Sequence, residues 1–201
     1  MKRSKARQAS VRRKTGETDI KINLKINGAG RSKISTGMPF LDHMLTLLSK
    51  HSLIDLEIKA VGDLHVDIHH TNEDVGITLG QALNKAVGDK AGMRRYGFFS
   101  IPMDESLIRV TLDFSGRPEL CIHKAKGVTF SRLENYSFHD AMEMLRALSL
   151  HAGLTLHVEV LSGRDSHHII EGVFKALARA LDMAVQIDPR VKGVPSTKGS
   201  L

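Results

Sequence analysis

"DIHHTNED" at residues 67–74 returns in altered form as "DSHHIIEG" at residues 165–172, so His-His-x-x-Glu occurs twice in one chain, 98 residues apart. At that offset His69 falls on His167, His70 on His168 and Glu73 on Glu171. Leu79/Leu177, Ala82/Ala180, Leu83/Leu181, Ala86/Ala184 and Val87/Val185 also coincide, and upstream "FLDHM" (40–44) falls on "FHDAM" (138–142). The apolar coincidences are those any two amphipathic helices share. The polar trio has no such explanation. The pattern implies an α+β fold made by internal duplication of an α+β half-domain, the two halves packed as one unit.

Working outward, "ETDIKINLKI" (17–26) alternates polar and apolar residues, the period of a half-buried strand. "MPFLDHMLTLLSKHS" (38–52) has helical spacing, with Phe40, Met44, Leu47 and Leu48 along one stripe. "DLEIKAVGDLHVDI" (55–68) reads as strand, glycine turn and second strand, before a helix over 69–87. The second half repeats the order. "LIRVTLDFSGRPEL" is strand and turn, and "CIHKAKGVTF" is a continuing strand; "SFHDAMEMLRALSLHAG" is helical, "LTLHVEVLSG" a strand, and the stretch from His167 a long helix. The expected organisation is a basic arm over 1–14, half-domains over 15–95 and 96–190, and a tail over 191–201.

The net charge of +7 is concentrated at one end. Lys2, Arg3, Lys5, Arg7, Arg12, Arg13 and Lys14 face no acid within residues 1–14, and the rest of the chain holds 22 basic and 22 acidic side chains. The arm is expected to be a solvated terminus. An RNA-binding reading gains little, because an aromatic content of 4% provides few stacking platforms. No apolar run reaches the length of a membrane span. The single cysteine, Cys121, excludes an internal disulfide and suits a reducing cytoplasm; it is expected in the core.

On a helix, positions i and i+4 share a face, so His69 with Glu73 and His167 with Glu171 are each placed to chelate an ion. The middle histidine is turned by about 100° from the first. His70 and His168 are therefore expected to serve a different ion, across a subunit boundary. Asp67 and Asp165 precede each pair by two residues, suited to capping the helix or to hydrogen-bonding a ligating imidazole. Imidazole and carboxylate without thiolate suit Mn, Fe, Co or Zn. One such motif is as compatible with surface or capping residues as with ligation; two in register favour ligation. His43 is a further candidate ligand, whereas His51, His65, His123, His151 and His157 have no partner at ligand spacing. Arg95 in "MRRYG" and Arg117 in "SGRPEL" lie beside turn glycines, suited to gripping phosphate, and "VPSTKGS" brings Ser196, Thr197 and Lys198 to an anion clasp.

Taken together, "GMPFLDHML", "DIHHTNEDVGITLGQAL", "RRYG", "MDESLIRVTLDFSGRP", "SHHIIEGVFKALARAL" and "PSTKG" resemble the imidazoleglycerol-phosphate dehydratase family of histidine biosynthesis, in unbroken order from about Arg12 onward. The resemblance implies a duplicated half-domain like the second domain of ribosomal protein S5. It also implies a cytoplasmic homo-oligomer of 24 subunits, with two Mn2+ ions per active site between subunits. The implied metal ligands are His43, His69, His70, Glu73, His167, His168 and Glu171, with Glu143 at an eighth position that is often histidine in the family; His139 lies one turn away. The implied substrate contacts are Glu17, Arg95, Arg117, Lys175, Ser196, Thr197 and Lys198. The implied reaction removes water from imidazole glycerol phosphate, a small phosphorylated imidazole, to give imidazole acetol phosphate. A carboxylate must take a proton from a carbon with no adjacent carbonyl; Glu17 is the candidate base, with Glu171 and Glu73 as alternatives. Asp104 and Glu105 are given at most a supporting role. A dinuclear metallohydrolase would use similar groups but does not account for the order of the motifs.

Overall fold

The computed structural model describes residues 7–131 and 133–201; Lys2, Arg3 and Lys5 of the basic arm lie outside them. The first half runs β1 (Gln8–Lys14), β2 (Thr18–Lys25), β3 (Ser32–Ser35), α1 (Pro39–Ser52), β4 (Asp55–Gly62) and α2 (His69–Val87). The second runs β5 (Tyr96–Met103), β6 (Ser106–Asp113), β7 (Glu119–Lys124), α3 (Phe138–Ala152), β8 (Thr155–Ser162) and α4 (Ser166–Val185). Each half is a four-stranded sheet of the same order, β1-β2-β4-β3 and β5-β6-β8-β7. Among the described residues the parallel neighbours are β3/β4 and β7/β8, each pair joined through a helix, as a parallel crossover requires.

Strand alternation sets the layers. Ile20, Ile22 and Leu24 on β2 and Ile108, Val110 and Leu112 on β6 are buried, and their neighbours along the strands face the other side. The apolar faces carry the helices, and the halves meet helix against helix in a crossed arrangement: α2 packs on α3, and α1 on α4. Consequently a residue of α1 from the first half reaches the start of α4 in the second. The inward face of α1 is Leu41, Met44, Leu45 and Leu48; Phe40 and Leu47 are only partly buried, so the true stripe is rotated from the expected one.

Four expectations are corrected here. Half of the basic arm is not a solvated terminus, because Gln8–Lys14 forms edge strand β1, antiparallel to β2. Arg13 Nε reaches under the sheet to Asp74 Oδ1 at 2.8 Å, and Arg12 pairs with Asp19 at 2.6 Å. The segment after Gly62, read as a second strand, is turn up to the start of α2, and the chain beyond Lys124 leaves the sheet. Cys121, expected in the core, is half-buried on β7.

Candidate metal and anion sites

Each His-His pair opens a helix and is held there by a local cap. Asp67 Oδ1 accepts the backbone N–H of His69 at 3.0 Å, and Asp165 Oδ1 that of His167 at 2.7 Å. The capping role expected of these aspartates is met by Asp165 at the N-cap of α4, while Asp67 makes its bond from the position before the N-cap of α2. Within each pair the rings stand apart and steeply inclined, His69 and His70 at 6.1 Å and 69°, His167 and His168 at 6.2 Å and 79°. Both copies therefore point their two imidazoles in different directions.

At the α1/α4 contact, His43 Nε2 lies 3.4 Å and His167 Nε2 3.3 Å from Glu171 Oε2. Lys175, one turn further along α4, donates to Glu171 Oε1 at 2.6 Å. The ring of Phe40 takes His167 edge-on, with centroids 5.2 Å apart. Burial alone would raise the Glu171 carboxyl, but Lys175 and the two imidazoles outweigh it and hold the group below its ordinary range. One donor atom from each of His43, His167 and Glu171 lies within 4.8 Å of the others. Two imidazole nitrogens and a carboxylate oxygen, without thiolate, fit a divalent cation of the Mn-to-Zn series.

The middle histidines have other partners. His70 Nδ1 is 3.0 Å from Asp63 Oδ2 and 3.8 Å from Glu17 Oε2. His168 Nδ1 is 2.8 Å from Glu105 Oε2, while its Nε2 lies 3.6 Å from Asp104. The hydrogen bond to Asp63 raises the pKa of His70, and that to Glu105 raises the pKa of His168. Glu105 is held well below the carboxylate range by the backbone N–H of Asp165, by His168 and by the N–H of Arg164. These acids, not Asp67 and Asp165, are the groups that bond imidazole. Sequence reasoning missed Asp63 because it lay in a stretch read as strand, and undervalued Glu105, whose only signal was an acid just before a strand.

The remaining expected ligands are less assembled in one chain. His69 Nε2 lies 3.9 Å from Glu73 Oε2. Glu143 pairs with Arg146 at 3.3 Å and lines a shallow cleft with His139. The expected substrate groups divide among three places. Arg95, Arg117, Ser196, Thr197 and Lys198 surround one cleft of about 520 Å³. Lys175 belongs to the His43 cluster, and Glu17 faces His70. Arg95 adopts a positive φ of 73° and is 11% exposed; its fork is occupied by Asp113 (2.6 and 2.9 Å) and by the carbonyl of Pro195 (2.9 Å). Two of these bonds hold Arg95 to β6 and the third holds the tail, leaving Arg117 and Lys198 as the freer cations of the cleft.

The anion cleft lies at the far end of α4 from its histidines, since the Arg95 N–H bonds the carbonyl of Ala184. From His167 to Ala184 the helix rises about 25 Å at 1.5 Å per residue. A small substrate cannot touch both ends of one chain.

Comparison with known proteins adds the lineage. The family model described as imidazoleglycerol-phosphate dehydratase matches residues 36–181. The imidazoleglycerol-phosphate dehydratase of Synechococcus sp. (strain JA-2-3B'a(2-13)) is 55% identical over 198 residues, covering 97% of this chain and 94% of that protein. The one from Thermoanaerobacter pseudethanolicus is 55% identical over 196 residues, covering 97% of this chain and 100% of that protein. Among solved structures, the Staphylococcus aureus enzyme superposes with a TM-score of 0.80 at 37% identity, over 90% of this chain and 99% of that one. The Pyrococcus furiosus enzyme gives 0.81 at 35% identity, over 95% and 100%.

Proposed function

Because the chain belongs to the imidazoleglycerol-phosphate dehydratase family of hydro-lyases, we propose that it dehydrates imidazole glycerol phosphate to imidazole acetol phosphate for histidine biosynthesis in the cytoplasm, at a site holding two Mn2+ ions and completed by neighbouring copies in a 24-subunit assembly. No described helix is long and apolar enough to cross a membrane. The observation that carries the metal dependence is the convergence of His43, His167 and Glu171 from the two halves. His70 and His168, aimed elsewhere, serve the ions from other directions, and His69 with Glu73 forms the pair contributed by α2. Glu143 has its Oε1 on Arg146, and its Oε2 joins that pair.

Bound there, divalent ions supply Lewis-acid polarisation of the substrate's imidazole and a template that orients it. The protein's own groups do the rest. Lys175 keeps Glu171 ionised in a buried position, which suits a ligand and disfavours it as a base. Glu17 is 57% exposed and 3.8 Å from the nearest imidazole nitrogen, so its carboxylate is available to take the carbon-bound proton. Arg117, Lys198 and the Ser196 and Thr197 hydroxyls receive the phosphate. Because the cleft and the histidine cluster are about 25 Å apart along α4, phosphate and imidazole are bound by different copies.

Dialysis against a chelator, followed by light scattering and a turnover assay with imidazole glycerol phosphate, tests this reading. The expected result is loss of turnover and a smaller assembly, both restored by Mn2+. Full assembly and full turnover in metal-free protein refute it.

A further inference from the structure

We propose that Asp63 and Glu105 are positioning residues that accept the Nδ1–H of His70 and His168 respectively, so that each ring carries its lone pair on Nε2. The inference rests on the metal-dependent reading above and goes beyond it, because neither acid is among the expected ligands or substrate contacts. A neutral imidazole has one N–H and one lone pair, and an acceptor at one nitrogen decides which is which. Both acids meet the same ring atom, Nδ1, at 3.0 Å and 2.8 Å. Both are partly shielded, with side chains 17% and 24% exposed. Glu105 is itself held by the backbone N–H groups of Arg164 (3.0 Å) and Asp165 (2.8 Å). Asp63 spends its bond on His70 alone, its buried Oδ1 having no partner among the described residues.

The duplication explains why the two acids come from different places. Glu17 immediately precedes β2, and Glu105 immediately precedes β6, the equivalent strand of the second half. Both approach the second histidine of the pair in their own half, but Glu105 bonds it whereas Glu17 stays at 3.8 Å. Asp63 immediately follows β4; the residue that follows the equivalent β8 is Gly163, which has no side chain to offer. At Nδ1 the first half therefore has two acids and the second has one, Asp104 lying instead 3.6 Å from Nε2 of His168. Where there are two, Asp63 clamps and Glu17 is released for proton transfer; where there is one, Glu105 must clamp. Glu17, Asp63 and His70 also form a group whose donor atoms lie within 4.8 Å. The direct 3.0 Å contact between ring and Asp63 makes this a hydrogen-bonded clamp, and the second half makes the same bond with no third donor at Nδ1.

Calorimetric titration of the metal-free full chain with Mn2+ tests the assignment. Asp63→Ala and Glu105→Ala are expected to weaken Mn2+ binding by about 10- to 100-fold. Asp63→Asn and Glu105→Gln keep a carbonyl acceptor for Nδ1–H and are expected to recover most of that loss, which also separates positioning from misfolding. Glu17→Gln is expected to leave Mn2+ affinity at the wild-type value while abolishing turnover. Unchanged affinity in both alanine variants overturns the proposal, as does an Asp63→Asn variant no better than Asp63→Ala, the signature of a direct carboxylate ligand. A loss of Mn2+ affinity in Glu17→Gln overturns the division of labour. Failure of the wild-type chain to bind Mn2+ would instead sink the metal-dependent function itself, so the two failures are distinct.

Discussion

Asp55 and Glu57 are two residues apart on the outer face of β4, yet their surroundings set them different tasks. Glu57 accepts a single bond from Asn23 Nδ2 at 2.8 Å. Asp55 accepts from the Arg31 guanidinium at 3.0 Å and from the backbone N–H groups of Ala29 (2.8 Å) and Arg31 (3.1 Å), which ties the β2–β3 connection to the sheet. Arg31 first, and the Ala29 N–H second, hold its carboxyl far below the ordinary range. A folded-state pKa below the unfolded one means stability that is fully present above the unfolded pKa of about 3.9 and is lost progressively as pH falls below it. Thermal midpoints of wild type and Asp55→Asn should therefore differ at neutral pH and converge below about pH 4. A gap independent of pH removes this role. At this scale the sequence was legible where partners are close along the chain: His167 and Glu171 meet because one helical turn brings them together. Asp63 and Glu105 were not, since their bonds to His70 and His168 depend on how turns fold back over the helix starts.

Among the elements, the α2/α3 crossing sets the distance between the halves. Two glycines one turn apart, Gly76 and Gly80, lie at the contact. A Cβ on Gly76 would stand 2.4 Å from the Met144 carbonyl oxygen, and one on Gly80 2.7 Å from that of Leu148 and 2.8 Å from His151 Cβ. Helix propensity alone favours alanine over glycine by about 1 kcal/mol. Overpacking against a backbone carbonyl costs about 1–3 kcal/mol, so Gly80→Ala is expected to lower stability by up to about 2 kcal/mol in urea unfolding. A stabilised variant would show that the helices are not in close contact there. The helices and inner strands were readable because their apolar periods are local. Strand β1 was not: its sequence, "QASVRRK", is a basic run until Ala9 and Val11 are laid against β2 and Arg13 finds Asp74 beneath the sheet. The segment after Gly62 carries alternation of the right period but pairs with no strand among the described residues, so the period alone misled.

For the whole molecule, the decisive fact is the separation of the anion cleft from the histidine cluster along α4. Under the proposed function neither end makes a complete site in one chain, which calls for a neighbour's contribution. Subunit complementation measures this directly. His167→Ala and Lys198→Ala chains are each expected to be nearly inactive, yet co-assembly in equal amounts should restore roughly a quarter of the sites, those drawing an intact group from each contributing copy. A mixture as inactive as its parents would place every group of the site within one chain.

Sequence alone determined the duplication, the helical placement of both His-His-x-x-Glu motifs and the family likeness, because each rests on identity or on a period of a few residues. Only the tertiary structure decided which imidazole faces which acid, that α1 lends His43 to the opposite half, and that cleft and cluster lie at opposite ends of a helix. Those are distances between segments remote in the chain, and they follow from packing rather than from any local pattern.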